Sequence, residues 1–149
     1  MSSVQEQVHG TAVAVDGRAA LIIGETGSGK SGLAFEMLAF GAELVSDDQV
    51  LVSATEGGLT VSPPPTIAGL IEARSIGIVR MPYVPSAELV LLVDLDQLGT
   101  ERLPPLRERL LLGRSVPVIF GQRVQGLAAI LMVLLRQGRL LDPSEIGPV

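Results

Sequence analysis

The stretch GETGSGKS, residues 24–31, constrains the fold of this chain more than any other part of its sequence. It matches the pattern G-x-x-x-x-G-K-[S/T], whose glycines let backbone N–H groups turn inward around phosphate oxygens. A strand-like apolar run precedes it and residues with helical spacing follow it, and the N-terminus of a helix favours bound anions. The sequence therefore predicts a strand, a phosphate-binding loop (P-loop) and a helix in that order.

Every residue of this loop is a candidate for nucleotide binding: Gly24, Glu25, Thr26, Gly27, Ser28, Gly29, Lys30 and Ser31. Lys30 would supply a mobile cation for the β and γ phosphates, and the Ser31 hydroxyl is placed to bind Mg²⁺. The competing interpretation is a glycine-rich turn that binds nothing, but such a turn has no need of a Lys-Ser pair. The loop predicts nucleotide binding, and the reaction depends on what surrounds it.

The first half of the chain alternates strands with one helix. Residues 11–15 and 19–23 predict a hairpin around the turn signal Asp16-Gly17. The helix after the P-loop should end at Gly41, and residues 43–46 predict a strand that leads to two aspartates. Extended segments follow at 49–54 and 59–62.

The second half is less regular. Residues 67–82 lack a clean period and predict a loop with short elements, while 89–93 predict a buried strand that ends at Asp94. Residues 99–116 look irregular, with a short helical piece at 106–112, before a strand at 116–120 and a helix at 124–136. Residues 141–149 predict a loose tail. Mixed strands and helices indicate an α/β protein, and residues 1–149 are the length of one domain.

Composition excludes several classes of function. A net charge of −5 argues against nucleic-acid binding, and the absence of cysteine excludes disulfides and thiolate zinc sites. We expect a cytoplasmic protein without a membrane segment, because the N-terminus lacks a signal pattern and the longest apolar run, 127–135, is too short to cross a bilayer. The mean hydropathy of +0.46 suggests a subunit interface.

Asp47 and Asp48 put two adjacent carboxylates into the apolar run LVSDDQVLV. Successive strand side chains point to opposite faces, so one aspartate should face the phosphate site while the other holds a metal-bound water or a loop. The alternative is a solvated turn between two strands. Asp94, which follows the aliphatic run LVLLV, is a rival for the aspartate that orients Mg²⁺.

Four segments together resemble a known family: His9-Gly10, GETGSGKS, LVSDDQV and IEARSIGIV. In order and spacing they are similar to the catalytic domain of HPr kinase/phosphorylase, over about residues 8–136. The resemblance implies a mixed β-sheet with flanking helices around a nucleotide-binding core like that of phosphoenolpyruvate carboxykinase. It implies ATP and Mg²⁺ as cofactors, the phosphocarrier HPr or an HPr-like protein as the serine substrate, inorganic phosphate as a further reactant, and a homo-oligomer, commonly a hexamer. The extra N-terminal domain of the family's larger version is absent from this sequence.

The resemblance also implies roles for individual residues. Asp48 corresponds to the family's general base, which acts as general acid in the reverse reaction. His9 and Lys30 fall at active-site positions, and Ser31 and Glu72 fall at Mg²⁺ positions, beside which Asp47 is a further candidate metal ligand. Arg102 matches a family arginine in a loosely aligned segment. Arg74, two residues after Glu72, could approach the phosphate site with it.

Two departures from the family leave the activity open. Ser75 stands where the family's loop has glycine, and Gln122 stands where it has an arginine tied to phosphorylase activity, with Arg123 one residue away. They put the reverse phosphorolysis in more doubt than the kinase reaction. The alternatives are a kinase with another acceptor, and a nucleotide-binding sensor or regulatory protein that transfers nothing.

Overall fold

A computed structural model describes residues 4–147 and contains a nine-stranded mixed sheet, a separate two-stranded sheet and two α-helices. The elements in chain order are β1 (Val4–His9), β2 (Thr11–Val15), β3 (Arg18–Ile23), α1 (Lys30–Ala39), β4 (Glu43–Ser46), β5 (Gln49–Thr55), β6 (Gly58–Ser62), β7 (Leu70–Ala73), β8 (Gly77–Arg80), β9 (Ala87–Leu98), β10 (Arg107–Leu111), β11 (Arg114–Gln122) and α2 (Leu127–Arg136). Short 3₁₀ turns lie at Pro65–Ile67 and Pro143–Ile146. The α/β fold with a mixed sheet is confirmed.

Strand β9 organises the large sheet. One edge of β9 pairs in parallel with β3, the strand that leads into the P-loop. The other edge is shared: β6 pairs antiparallel near Ala87, and β11 pairs in parallel from Leu92 onward. Because β3, β9 and β11 run in the same direction, their carboxyl ends lie at one edge of the sheet, where the P-loop begins.

The chain bends sharply at two places that lie side by side in the sheet, and we call this place the corner. The chain passes from β1 to β2 through Gly10 and from β4 to β5 through Asp47 and Asp48. Strand β1 pairs with β5 and β2 pairs with β4, both antiparallel, and the Gly10 N–H donates to the Asp48 carbonyl at 3.0 Å. The corner therefore brings the ends of four strands together next to the end of β3.

The sheet separates two apolar cores, and the alternation of side chains along β2 and β3 supplies both. Val13, Val15, Ala20 and Ile22 face α1 and α2. The intervening residues Ala12, Ala14, Ala19 and Leu21 pack in the second core, against residues of β4, β5, β6, β9 and β11. Because β2 is covered on both faces, it reads as a continuous buried run rather than as an alternating one.

The predicted hairpin of β2 and β3, the helix α1 and the strand β4 are confirmed. Asp16 and Gly17 form the hairpin turn with φ values of 52° and 80°. The Asp has the backbone conformation that glycine and asparagine usually adopt in such turns. Residues 67–82 contain the β7–β8 hairpin, which is consistent with a loop holding short elements.

The predicted helical piece at 106–112 is wrong. These residues form β10, which pairs antiparallel with β11 through a turn at Leu112 and Gly113, both with positive φ. Half-buried and exposed residues alternate along β10, which is the period of an edge strand and not that of a helix. The strand predicted to end at Asp94 also continues to Leu98, because pairing with β11 extends it.

The prediction of a loose tail at 141–149 is wrong for the residues that the structure describes. Asp142 caps the turn Pro143–Ile146 and also accepts the Leu106 N–H at 2.9 Å. The Ser144 hydroxyl, followed by the Leu106 and Ser144 N–H groups, lowers the pKa of the Asp142 carboxyl. Pro148 and Val149 lie outside the described residues. Within 4–147, neither helix has the length and apolar character needed to span a membrane.

The corner at Gly10 gives a test of the fold. A Cβ atom at this position would lie 2.7 Å from the Ile22 carbonyl oxygen, which is backbone and cannot rotate away. We expect Gly10→Ala to lower the free energy of unfolding by about 1–3 kcal/mol, as overpacking usually does. Denaturant unfolding measures the change.

Gly57→Ala is the matched control, because a Cβ atom there meets no other atom within 4 Å. It should change stability by less than about 0.5 kcal/mol. Equal stability of the two variants would contradict the close packing of β1–β2 against β3.

Candidate active site

The P-loop joins β3 to α1 through three glycines with positive φ. The φ values of Gly24, Gly27 and Gly29 are 156°, 87° and 101°, a region that residues with a Cβ rarely adopt. At Gly24 the packing is also tight, since a Cβ atom would lie 2.5 Å from the Ser28 Oγ. At Gly27 and Gly29 a Cβ atom would enter open space, so there the glycines keep a concave surface clear.

Lys30, the first residue of α1, folds back over the start of the loop. Its Nζ donates to the carbonyl oxygens of Gly24 at 2.7 Å and of Glu25 at 3.0 Å, and the side chain is mostly buried. The ammonium thus provides a hydrogen-bond donor to each of these two loop carbonyls. A phosphate group that attracts Lys30 would have to compete with these two bonds.

Asp47 is buried, with 6% of its surface exposed, and its carboxylate accepts three hydrogen bonds. The hydroxyls of Thr11 and Ser31 donate to Oδ1 at 2.7 and 2.9 Å, and the Glu72 N–H donates to Oδ2 at 3.0 Å. Hydrogen bonds to the charged form offset the cost of removing a carboxylate from water. These contacts explain how one aspartate of the adjacent pair can lie inside the structure.

Asp48 points the other way and remains accessible, with 70% of its side chain exposed. Its φ of 71° is in the left-handed region, which aspartate tolerates better than most residues, and it turns the chain from β4 into β5. One carboxylate oxygen of Asp48 lies 3.9 Å from His9 Nδ1. The two carboxylates therefore separate and do not repel each other inside one apolar site. Both lie in the turn between β4 and β5, so the turn, and not alternation along a strand, separates them.

These residues line a single cleft between the P-loop and the β7–β8 hairpin. The predicted site residues along it are His9, Thr26, Gly27, Gly29, Lys30, Ser31, Asp47, Asp48, Glu72 and Arg74. Apolar side chains, including Phe35, Ile67 and Ile78, form the remaining wall. The structure thus brings together most of the residues that the sequence singled out.

Arg74 and Glu72 both reach this cleft, but not as two residues of one strand. Glu72 is in β7, whereas Arg74 lies in the turn between β7 and β8. Ser75 follows with a φ of 66°, the conformation for which glycine is the usual residue. A serine at this position holds the turn at some conformational cost, and the hairpin still forms.

Other candidates lie elsewhere. Arg102 is exposed in the segment between β9 and β10 and is absent from the residues that line the cleft, so its role stays a prediction. Asp94 is buried and accepts an Arg109 guanidinium N–H at 2.8 Å and the Asp96 N–H at 2.9 Å. Gln122 and Arg123, at the end of β11, also lie outside the lining.

Sequence reasoning missed two residues that contact the site. Thr11 is a fully buried polar residue at the start of an otherwise apolar strand, and that contrast was a usable signal. Asp96 accepts the Glu25 N–H with both carboxylate oxygens at 3.0 Å. No motif marks Asp96, because the contact depends on the register between β9 and β3.

The residues that line the cleft suit a nucleoside triphosphate and Mg²⁺. The clear concave surface at Gly27 and Gly29 and the N-terminus of α1 suit phosphate oxygens. The Ser31 hydroxyl and the Asp47 and Glu72 carboxylates are the hard oxygen ligands that Mg²⁺ prefers. Among residues 4–147 no cluster of three or more His, Cys, Asp or Glu side chains is arranged to hold a metal. An ion here would need further oxygens from phosphate and water, as is usual for Mg²⁺.

Comparison with known proteins places this chain in a defined family. The family model described as HPr Serine kinase C-terminal domain matches residues 2–91. HPr kinase/phosphorylase of Clostridium tetani is 38% identical over 95 residues, which cover 64% of this chain and 30% of that protein. The corresponding protein of Mycoplasmopsis pulmonis is 41% identical over 85 residues, or 57% of this chain and 28% of that protein. The chain thus spans about a third of the length of these curated relatives.

A solved structure supports the relationship over more of the chain. The Hpr(Ser) kinase/phosphatase from Coxiella burnetii matches with a TM-score of 0.77 and 29% identity, covering 90% of this chain and 90% of that one. The family match contains the P-loop, the corner with Asp47 and Asp48, and the β7 strand with Glu72. By sequence and by fold, this chain belongs to the family of HPr serine kinase C-terminal domains.

Proposed function

We propose that this chain catalyses ATP- and Mg²⁺-dependent phosphorylation of a serine on HPr or an HPr-like phosphocarrier protein. The observation that carries the proposal is the divergence of the two aspartates at one cleft. Asp47 turns inward to Ser31 of the P-loop, and Asp48 remains open to a substrate beside His9. A kinase needs both functions within reach of the same phosphate group: an organised phosphate site and an accessible proton acceptor.

Phosphate binding falls to the loop. Backbone amides of the loop and the N-terminus of α1 would hold phosphate oxygens. Lys30 would exchange the carbonyls of Gly24 and Glu25 for phosphate. Arg74 in the hairpin turn is the cationic side chain on the opposite wall of the cleft. Together, Lys30 and Arg74 would stabilise the charge that spreads over the transferred group.

Asp48 would act as the general base. It accepts the proton of the serine hydroxyl while the new oxygen–phosphorus bond forms and the bond to the leaving diphosphate breaks. Its exposure suits this role, because the hydroxyl of a protein substrate has to reach it from outside. His9, whose Nδ1 is 3.9 Å from the Asp48 carboxylate, would hold that carboxylate in position.

The Mg²⁺ site would use the residues around Asp47. When bound, MgATP supplies the transferable phosphoryl group and a cation that neutralises its charge. Ser31 would provide a hydroxyl ligand, Asp47 would orient that hydroxyl or hold a bound water, and Glu72 would contribute from β7. The three donors to Asp47 keep it in place for this purpose.

The resemblance adds a reverse reaction with inorganic phosphate, in which Asp48 would return the proton. Gln122, in place of the family's arginine, weakens the case for that reaction more than the case for the forward one. The setting that goes with the proposal is the cytoplasm, and an assembly of several copies would cover exposed apolar side chains such as Phe40, Ile130 and Val133. Two alternatives have to be distinguished from this proposal by experiment: a nucleotide sensor without transfer activity, and a kinase for another acceptor.

The role of Asp48 predicts a selective loss of turnover. Asp48→Asn should lower kcat for serine phosphorylation of HPr by about 10²–10⁴-fold, because the base is lost, and leave ATP binding nearly unchanged. Mass spectrometry of HPr over the time of incubation with ATP and Mg²⁺ measures the rate of phosphorylation. Calorimetric titration with ATP measures the affinity for ATP.

Asp16→Asn makes the same chemical change in the β2–β3 turn and should retain full activity. If the unmodified protein binds ATP but labels no HPr, the sensor or the other-acceptor interpretation replaces the proposal. If Asp48→Asn labels HPr at the normal rate, the assignment of the base is wrong.

Lys30 is the only lysine in the sequence, and its replacement tests the loop. We expect Lys30→Ala to raise the Kd for ATP at least about tenfold, since charge-assisted hydrogen bonds to phosphate are lost. Removal of the exposed Arg139 as Arg139→Ala deletes a positive charge outside the cleft and should leave the Kd unchanged. Equal ATP affinity of the Lys30 variant and the parent protein would contradict phosphate binding at this loop.

A further inference from the structure

Asp96 contacts the P-loop from the part of β9 that lies beyond the family match. Its two carboxylate oxygens each lie 3.0 Å from the Glu25 N–H, the second amide of the loop. The matched family region ends at residue 91, and Asp96 is not among the residues that line the cleft. Its contact is therefore with the loop itself and not with the cleft surface where a ligand would lie.

The position of Asp96 is fixed by the residues before it. Its own N–H donates to Asp94 Oδ1 at 2.9 Å, and Asp94 Oδ2 accepts from Arg109 of β10 at 2.8 Å. Asp94 is buried and lies in register with Ile23, the last residue of β3. A continuous series of contacts thus runs from β10 through β9 to the start of the P-loop.

The same short segment of the loop is held on its other side by Lys30. The Lys30 ammonium binds the carbonyls of Gly24 and Glu25, while Asp96 binds the amide of Glu25. When Lys30 turns to a phosphate, the Gly24 carbonyl loses its ammonium partner. The Glu25 carbonyl keeps the Ser28 N–H at 2.9 Å, and the Glu25 amide keeps its hydrogen bonds to Asp96. Gly24 has a φ of 156°, and a Cβ atom there would lie 2.5 Å from the Ser28 Oγ, so close packing and the Asp96 contact constrain this segment together.

We propose that Asp96 is a positioning residue that holds the Gly24–Glu25 segment of the P-loop in place while Lys30 leaves it to bind phosphate. The inference rests on the proposed nucleotide binding and adds to it a residue that acts through the loop. Asp96 fixes the start of the loop before the nucleotide arrives, which reduces the ordering that binding requires.

Simple charge repulsion predicts the opposite effect of removing Asp96. A carboxylate near the loop would repel a triphosphate, so its deletion would tighten binding. Asp96 is exposed, however, and at physiological salt exposed charges are screened over about 8 Å. The hydrogen bond to Glu25 is charge-assisted and short-ranged, and salt affects it little. The sign of the change in affinity and its dependence on salt therefore distinguish the two effects.

The experiment compares the intact chain with Asp96→Ala, the conservative Asp96→Glu, and Asp16→Asn as a matched loss of an exposed negative charge. Hydrogen exchange of the Glu25 amide, followed by NMR without nucleotide, reports the contact directly. Titration with ATP and Mg²⁺ at about 0.15 M and about 0.5 M salt reports affinity under weak and strong screening. Thermal unfolding confirms that each variant is folded.

For Asp96→Ala we expect the Glu25 amide to exchange about tenfold faster and the Kd for ATP to rise about three- to tenfold at both salt concentrations. In HPr phosphorylation the KM for ATP should rise while kcat changes little, because the base and the metal ligands are untouched. Asp96→Glu should restore part of the protection and affinity, and Asp16→Asn should match the parent protein.

Unchanged exchange of the Glu25 amide, or tighter ATP binding that disappears at the higher salt, would overturn the role of Asp96. That outcome differs from a failure of the proposed function, in which the parent protein itself binds no ATP. In the former case the parent protein still binds ATP normally, and only the positioning role is lost.

Discussion

The carboxylate of Asp47 ties together three parts of the chain that are far apart in sequence. It accepts hydroxyl groups from β2 and α1 and a backbone amide from β7. All three donors are uncharged hydroxyl or amide groups. In a medium of low dielectric, such bonds are strong when complete and costly when broken. The arrangement of strands around the corner therefore has to be correct before this residue can be buried.

The corner itself arises from backbone geometry. Gly10 allows β1–β2 to pass close to Ile22, and Asp48 adopts a left-handed conformation that turns β4 into β5. Since β1 pairs with β5 and β2 with β4, the two bends occur at the same level of the sheet. As a result, the buried Asp47 and the exposed Asp48 follow one another directly after β4, close to the P-loop.

Much of this was predictable from local patterns. The P-loop motif, the turn at Asp16-Gly17 and the helix up to Gly41 depend on neighbouring residues, and the structure agrees with them. The divergence of Asp47 and Asp48 was expected from the alternation of side chains along a strand, but it arises in the turn between β4 and β5, where Asp48 has a positive φ. The adjacency of His9 to Asp48 came only from resemblance to a family, because nothing in one sequence states that β1 pairs with β5.

The errors lie where tertiary pairing decides the structure. The segment 106–112 has leucines and arginines that suit a helix, but β11 offers an edge and a Leu112-Gly113 turn that make it a strand. Asp94 looked like the end of a strand, yet pairing with β11 carries β9 four residues further. The same pairing places Asp96 beside Glu25, which no local pattern could have indicated.

Thr11 and Ser31 donate to the same oxygen of Asp47, and this sharing has a mechanical consequence. If the Ser31 hydroxyl rotates away, that oxygen still accepts the hydrogen bond from Thr11. Ser31, at the start of α1, can therefore change its hydrogen-bond partner, whereas Thr11, fully buried in β2, keeps its bond to Asp47. Because two hydroxyls share one acceptor, the Ser31 side chain can move while the Thr11–Asp47 hydrogen bond keeps the strand corner in place.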